Sequence, residues 1–150
     1  MNDPCDLKRF IDAQDPVWDR VTDELWRGVK RSHWMWFVFP QVRGLGRSPA
    51  AERYAIADLV EARAYLAHPL LRERLDVATT LVLDVDGKSL ADVFGSPDDR
   101  KFCSSMTLFA VAAEDDGLYR QALARFCDGR EDERTLIELG RAREGCAASA

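Results

Sequence analysis

The sequence predicts an all-α fold, and three observations carry that expectation. Apolar residues recur at helical spacing in about eight short segments. Serine- or aspartate-led starts and glycine or proline stops punctuate those segments. No apolar run finds a second strand to pair with. One stretch departs from the pattern. Residues 30–48, KRSHWMWFVFPQVRGLGRS, mix two tryptophans, two phenylalanines, a histidine, a glutamine, two glycines and several basic side chains. The expected architecture is one compact domain of short helices around a buried, irregular aromatic segment. It should span residues 1–145, with 146–150 as a disordered tail.

Residues 7–13 read as a short helix with Leu7, Phe10 and Ile11 on one face. Asp15 and Pro16 restart the chain as cap and first-turn proline. Val17, Trp18, Val21 and Leu25 follow at helical spacing, and Gly28 can close the helix in a left-handed turn. Residues 34–39 are too aromatic for a free loop and are expected to be extended or irregular chain between helices. Ser48-Pro49 starts a short helix, and Asp58 caps another across to Glu61. His68-Pro69 ends that helix and begins the next, whose stripe is Leu71, Leu75, Ala78, Val82 and Val85. Ser89 caps a short helix that stops at Gly95. Ser96-Pro97-Asp98-Asp99 reads as cap, proline and two acids against the positive helix end. Phe102, Met106, Phe109, Ala110 and Ala113 form that helix's core stripe, flanked by Lys101, Ser104, Ser105 and Leu108. Leu118, Ala122, Leu123 and Phe126 follow in a helix ended by Gly129. Residues 131–143 form a last, mostly polar helix using Leu136 and Leu139.

A chain of 150 residues buries enough surface to fold without a staple. No apolar run reaches about 20 residues, so no membrane span is expected. The start, MNDPCDLKRF, lacks a secretory signal, which makes a cytoplasmic protein the default. Cys5, Cys103, Cys127 and Cys146 are scattered without a C-x-x-C pair. Metal is not expected, and buried thiols at Cys103 and Cys127 with exposed ones near the termini are the simple reading. Net charge is −5, which disfavours nucleic acid and membrane as partners. Charge is nevertheless uneven. Residues 27–53 carry Arg27, Lys30, Arg31, Arg43, Arg47 and Arg53 against Glu52 alone. A basic island in an acidic chain suits a local anion site; a solvated basic loop is the alternative.

Three pieces could carry chemistry. In RGLGRSP, residues 43–49, the glycines permit close backbone approach, the Ser48 helix start favours an anion, and Arg43 and Arg47 can grip phosphate or carboxylate. An ordinary turn before a capped helix explains the same residues. In His33-Trp34-Met35-Trp36, both indoles would share one side of extended chain and could stack on a flat group, or simply fill core. His33 can move protons near neutral pH. In the helix after Asp98, Lys101 and Ser105 sit at the rim of the core, where the lysine can bind phosphate or pair with Asp98.

The motifs SHWMWFVFPQ (residues 32–41), GLGRS (44–48), YAI (54–56), EARAYLAHPLL (61–71), FGSPDDRK (94–101) and SSMTLFA (104–110) together resemble the bacterial "domain of unknown function eighteen-ten" family. The resemblance spans about residues 5–140. It implies a small, mainly helical domain and no established activity. Members are sometimes labelled calpastatin, which suits this compact, tryptophan-containing chain badly. A looser similarity runs to the NADAR fold, whose members act on ADP-ribose-type or riboside substrates. It rests on the 101–109 helix and the Gly-x-x-Asp turn at 129–132, and it transfers no catalytic residue.

The functional expectation is a site for a small anionic, nucleotide-like or ADP-ribose-like ligand, with processing of that ligand as a further option. Trp34 or Trp36 would stack, Arg43, Arg47 and Ser48 would hold charge, Lys101 and Ser105 would complete the wall, and Gln41 and Tyr54 would orient. His33 and Lys101 are the candidate proton carriers. No cofactor is implied. The competing expectation is a protein-interaction module, its partner unknown, with the same aromatics as an exposed hot spot.

Overall fold

The computed structural model describes residues 2–142. Ten helices form one all-α domain, and no strand occurs among the described residues. They are α1 (Lys8–Gln14), α2 (Trp18–Arg27), α3 (Met35–Val38), α4 (Pro49–Arg53), α5 (Leu59–Ala67), α6 (Pro69–Leu83), α7 (Leu90–Phe94), α8 (Asp98–Ala112), α9 (Gly117–Phe126) and α10 (Glu133–Arg141). The longest two, α6 and α8, organise the packing: α8 lies against α5, α7, α9 and α10, and α6 against α2, α3, α5 and α9. The expected tail, 146–150, lies outside the described residues, as does Arg143.

Local chemistry sets many of the boundaries. Ser48 Oγ accepts from Ala51 N, Asp58 Oδ1 from Glu61 N and Ser89 Oγ from Asp92 N, so three expected caps are made. Asp92 closes a reciprocal capping box at α7. His68 does double duty: its backbone ends α5, and its Nδ1 accepts from Leu71 N at the start of α6. Gly28 closes α2 at φ +75°, where a side chain would be strained. Two expected caps are not made. Asp15 pairs with Arg74 instead, and α2 begins at Trp18 without a side-chain cap. At α8 the residue flanking the helix is Pro97, which has no capping side chain, and the Ser96–Pro97 peptide is cis.

The core is a continuous apolar cluster threaded by aromatic rings. One string runs Trp34, Phe39, Phe94 and Phe102, with Phe39 edge-on to both Phe94 and Phe102. A second runs Phe10, Tyr65, Phe109 and Tyr119. Buried polar groups are matched across elements. Gln14 donates to the Phe37 carbonyl at 2.7 Å, tying α1 to α3. Arg9 pairs with Glu61 at 2.6 Å and also donates to the carbonyls of Cys5, Arg53 and Ala55. A single parallel bridge, Val42 to Ile56, holds the connection on either side of α4 together.

The aromatic segment corrects the expectation of extended chain. Residues 35–38 form the one-turn helix α3. Trp34 and Trp36 therefore do not share a side: Trp34 is buried and Trp36 half-buried. The entry to this turn is held by Glu24. Its carboxylate accepts from Arg31 N, Ser32 N, Ser32 Oγ and the Trp34 indole Nε1. Burial would push the Glu24 carboxyl up, but those four donors together outweigh it and hold it at about 2.

The cysteines also differ from expectation. Cys103 and Cys127 form a disulfide that ties α8 to the end of α9, with Cα atoms 6.0 Å apart. Cys5 is buried rather than exposed, and no described cysteine is a free thiol. Disulfides are uncommon in a reducing cytosol, so cysteine chemistry lends the cytoplasmic default no support. Among the described residues no helix is long and apolar enough to cross a membrane. Leu136, expected to face inward from α10, is exposed, while Leu139 packs against the core.

Two outcomes follow from this packing. Glu24→Gln should lower unfolding free energy at pH 7 by about 3 kcal/mol, read from the urea midpoint. Because the folded pKa lies below the unfolded one, this contribution is complete above about pH 4.5. It is lost as pH falls toward about 2, so the wild-type and variant curves should converge in acid. Replacing Cys103 and Cys127 together by serine should cost about 3 kcal/mol, and reductant, which breaks the same cross-link in the wild type, should collapse the wild-type-minus-variant difference.

Candidate functional site

A cleft of roughly 520 Å³ opens where the N-terminal ends of α4, α8 and α10 meet. That volume suits a ligand the size of a nucleotide. Trp36, Gln41, Arg47 and Ser48 line it from the aromatic stretch, Pro97, Arg100, Lys101 and Ser104 from α8, and Asp132 and Arg134 from α10. A small cavity of about 30 Å³ lies beside it and shares Trp36, Gln41, Gly46 and Ala51 as a common wall. Gly46 permits this close fold, since a Cβ there would stand 2.7 Å from the Ala51 Cβ. Wider hollows occur elsewhere, but the one abutting Asp132 and Arg134 mixes Arg120 and Arg130 with Glu131 and Glu133 and has no aromatic wall.

The cleft is cationic. Arg47, Arg100, Lys101 and Arg134 line it against Asp132 alone. Lys101 Nζ stands 3.3 Å from Asp98 and over the Trp36 ring at 5.6 Å, so it is both ion-paired and held against the indole. Arg47, Arg100 and Arg134 are exposed and form no ion pair with any described residue. Arg100 and Arg134 sit in the first turns of α8 and α10, where the helix dipole disfavours cations. The cleft thus gathers three guanidiniums that no described acid neutralises.

Asp132 anchors the far wall. Its Oδ2 accepts from Ser104 Oγ at 3.0 Å, Thr135 N at 3.1 Å and Thr135 Oγ1 at 2.5 Å, capping α10 and fastening it to α8. Its backbone N–H donates to Thr107 Oγ1 at 2.8 Å. Among the described residues, no three His, Cys, Asp or Glu side chains are grouped to hold a metal ion.

Of the residues singled out from sequence, the cleft brings together Trp36, Gln41, Arg47, Ser48 and Lys101. The others lie elsewhere. Trp34 is buried with its indole N–H committed to Glu24, so it has no free face for a ligand. Arg43 and Tyr54 line the small neighbouring cavity, and Tyr54 packs against Phe10 and Phe37. His33 is exposed and outside the cleft lining. Ser105 is fully buried, and its Oγ has no hydrogen-bond partner among the described residues. The sequence reading missed Arg100, Arg134 and Asp132. The readable signal for the two arginines was a basic residue in the first turn of a helix, where acids belong.

A family model described as "Protein of unknown function (DUF1810)" matches residues 4–139. The crystal structure of the conserved hypothetical protein Rv1873 from Mycobacterium tuberculosis is 55% identical, with a TM-score of 0.90, over 92% of this chain and 99% of that one. No curated protein matches.

Ser105→Ala should leave cleft binding unchanged and alter stability by no more than about 1 kcal/mol, toward greater stability, since it removes a buried hydroxyl that lacks a partner. Thermal unfolding of the variant checks this; a loss above that size would give the hydroxyl a structural duty.

Proposed function

We propose that this chain, a member of the DUF1810 family, binds a small anionic ligand of nucleotide-like or ADP-ribose-like character in the cleft at α4, α8 and α10. One observation carries the reading: three guanidiniums that pair with no described acid gather around one concave site in a protein whose net charge is −5. In such a protein, acids are plentiful, and exposed cations usually find them. Guanidiniums kept apart from acids and set at helix N-termini are instead suited to phosphate or carboxylate from solution. Trp36 supplies the flat wall, Gln41 a neutral polar group and Lys101 a point charge. Any processing of the ligand would draw on Lys101, which lines the cleft, rather than on His33, which does not.

The protein-interaction reading has less support. Trp34 is sealed in the core and Trp36 lies in a hollow beside a cation, so these aromatics do not make a flat exposed patch. The exposed indole is Trp26 on α2, with 75% of its surface accessible.

A thermal-shift panel of ADP, ADP-ribose and pyrophosphate tests the proposal. A ligand at 100 times its dissociation constant should stabilise by about 2.7 kcal/mol, raising the midpoint by about 5–10 °C. The Arg47→Ala/Arg100→Ala/Arg134→Ala triple variant should fold as well as wild type and lose the shift. No wild-type shift with any of the three, or an equal shift in the triple variant, would overturn the reading.

A further inference from the structure

Resting on that reading, we infer that the ligand carries a sugar hydroxyl beside its anionic group, and that Asp132 Oδ1 accepts a hydrogen bond from it. A site built only for a polyanion gains nothing from a carboxylate in its wall, which repels the ligand. Asp132 is nevertheless the one acid lining this cleft. Its structural duties do not require an acid. Capping α10 and joining Ser104 to Thr135 are all carried by Oδ2, and asparagine or serine caps a helix about as well.

The second oxygen, Oδ1, accepts no hydrogen bond from a described residue, and Asp132 forms no ion pair with Arg134, two residues along α10, or with Arg100. The carboxylate is also rigid, because three donors hold Oδ2. A fixed acceptor on a residue that shares a cleft with unpaired guanidiniums suits a molecule with both a hydroxyl donor and an anion. That combination describes a phosphorylated sugar or a nucleotide, and it excludes simple phosphate oligomers as the preferred ligand. A hydrogen bond from a neutral hydroxyl to a charged acceptor is among the stronger kinds, and a site built for it discriminates sharply against analogues lacking the group.

Titration calorimetry with pyrophosphate, AMP and 2′,3′-dideoxy-AMP separates the possibilities. Wild type should bind AMP at least about tenfold tighter than the dideoxy analogue. Asp132→Asn keeps an oxygen for the cap and turns the free acceptor into an amide donor. It should erase the AMP preference while binding pyrophosphate as well as wild type or better. The wild-type comparison of AMP with its dideoxy analogue needs no variant and stands even if Asp132→Asn folds poorly. Equal wild-type affinity for these two, with pyrophosphate still bound, would overturn the hydroxyl inference and leave the anion site standing. Failure of all three compounds to bind would overturn both.

Discussion

The structure depends on one buried carboxylate. Glu24 gathers the donors of residues 31, 32 and 34 and so decides how the chain leaves α2 and enters α3. Once the Trp34 indole N–H is committed to Glu24, that ring must point inward, against Phe39 and Phe94. A single helical turn then carries Trp36 to the opposite surface, at the cleft. Lys30, at the head of the same segment, stacks over Trp34 and pairs with Asp98 at 3.0 Å. Asp98 in turn holds Lys101. A chain of charge contacts thus runs from the α2 carboxylate to the start of α8, where the cleft begins.

This arrangement separates two roles that the sequence interleaves. Buried charges such as Glu24, Arg9 and Glu61 are fully matched and fix the path of the backbone. Cleft charges are left exposed and mostly unmatched. The protein accepts like-charge crowding at two helix ends where dipoles oppose it. Such local conflict persists in folded proteins chiefly where function requires it. The Asp132 network shows the two roles meeting: one carboxylate oxygen holds α10 to α8, and the same residue lines the cleft.

Much of the fold was legible because it is written in local chemistry. The caps at Ser48, Asp58 and Ser89, the Gly28 stop and the His68-Pro69 junction each involve residues within a turn of one another. The one-turn helix α3 was not, since four consecutive apolar residues have no readable period. The Cys103–Cys127 pairing depends on how α9 folds back along α8, which scattered cysteines cannot reveal. The same limit governed the site. Arg47, Trp36 and Lys101 stood out by composition, but Ser105 lies inside rather than at the rim, and Arg134 reaches the cleft only through long-range docking of α10. Belonging to the DUF1810 family, with a 55% identical mycobacterial structure of the same fold, explains the architecture without assigning an activity.

The most direct measurement follows the four tryptophan indole N–H signals by NMR during titration with a nucleoside diphosphate, each assigned by single Trp→Phe replacement. The Trp36 signal should move saturably while Trp34, locked to Glu24, and Trp26, exposed on α2, stay in place. A stationary Trp36 at saturating ligand, or movement confined to Trp26, would contradict the assignment of this cleft as the binding site.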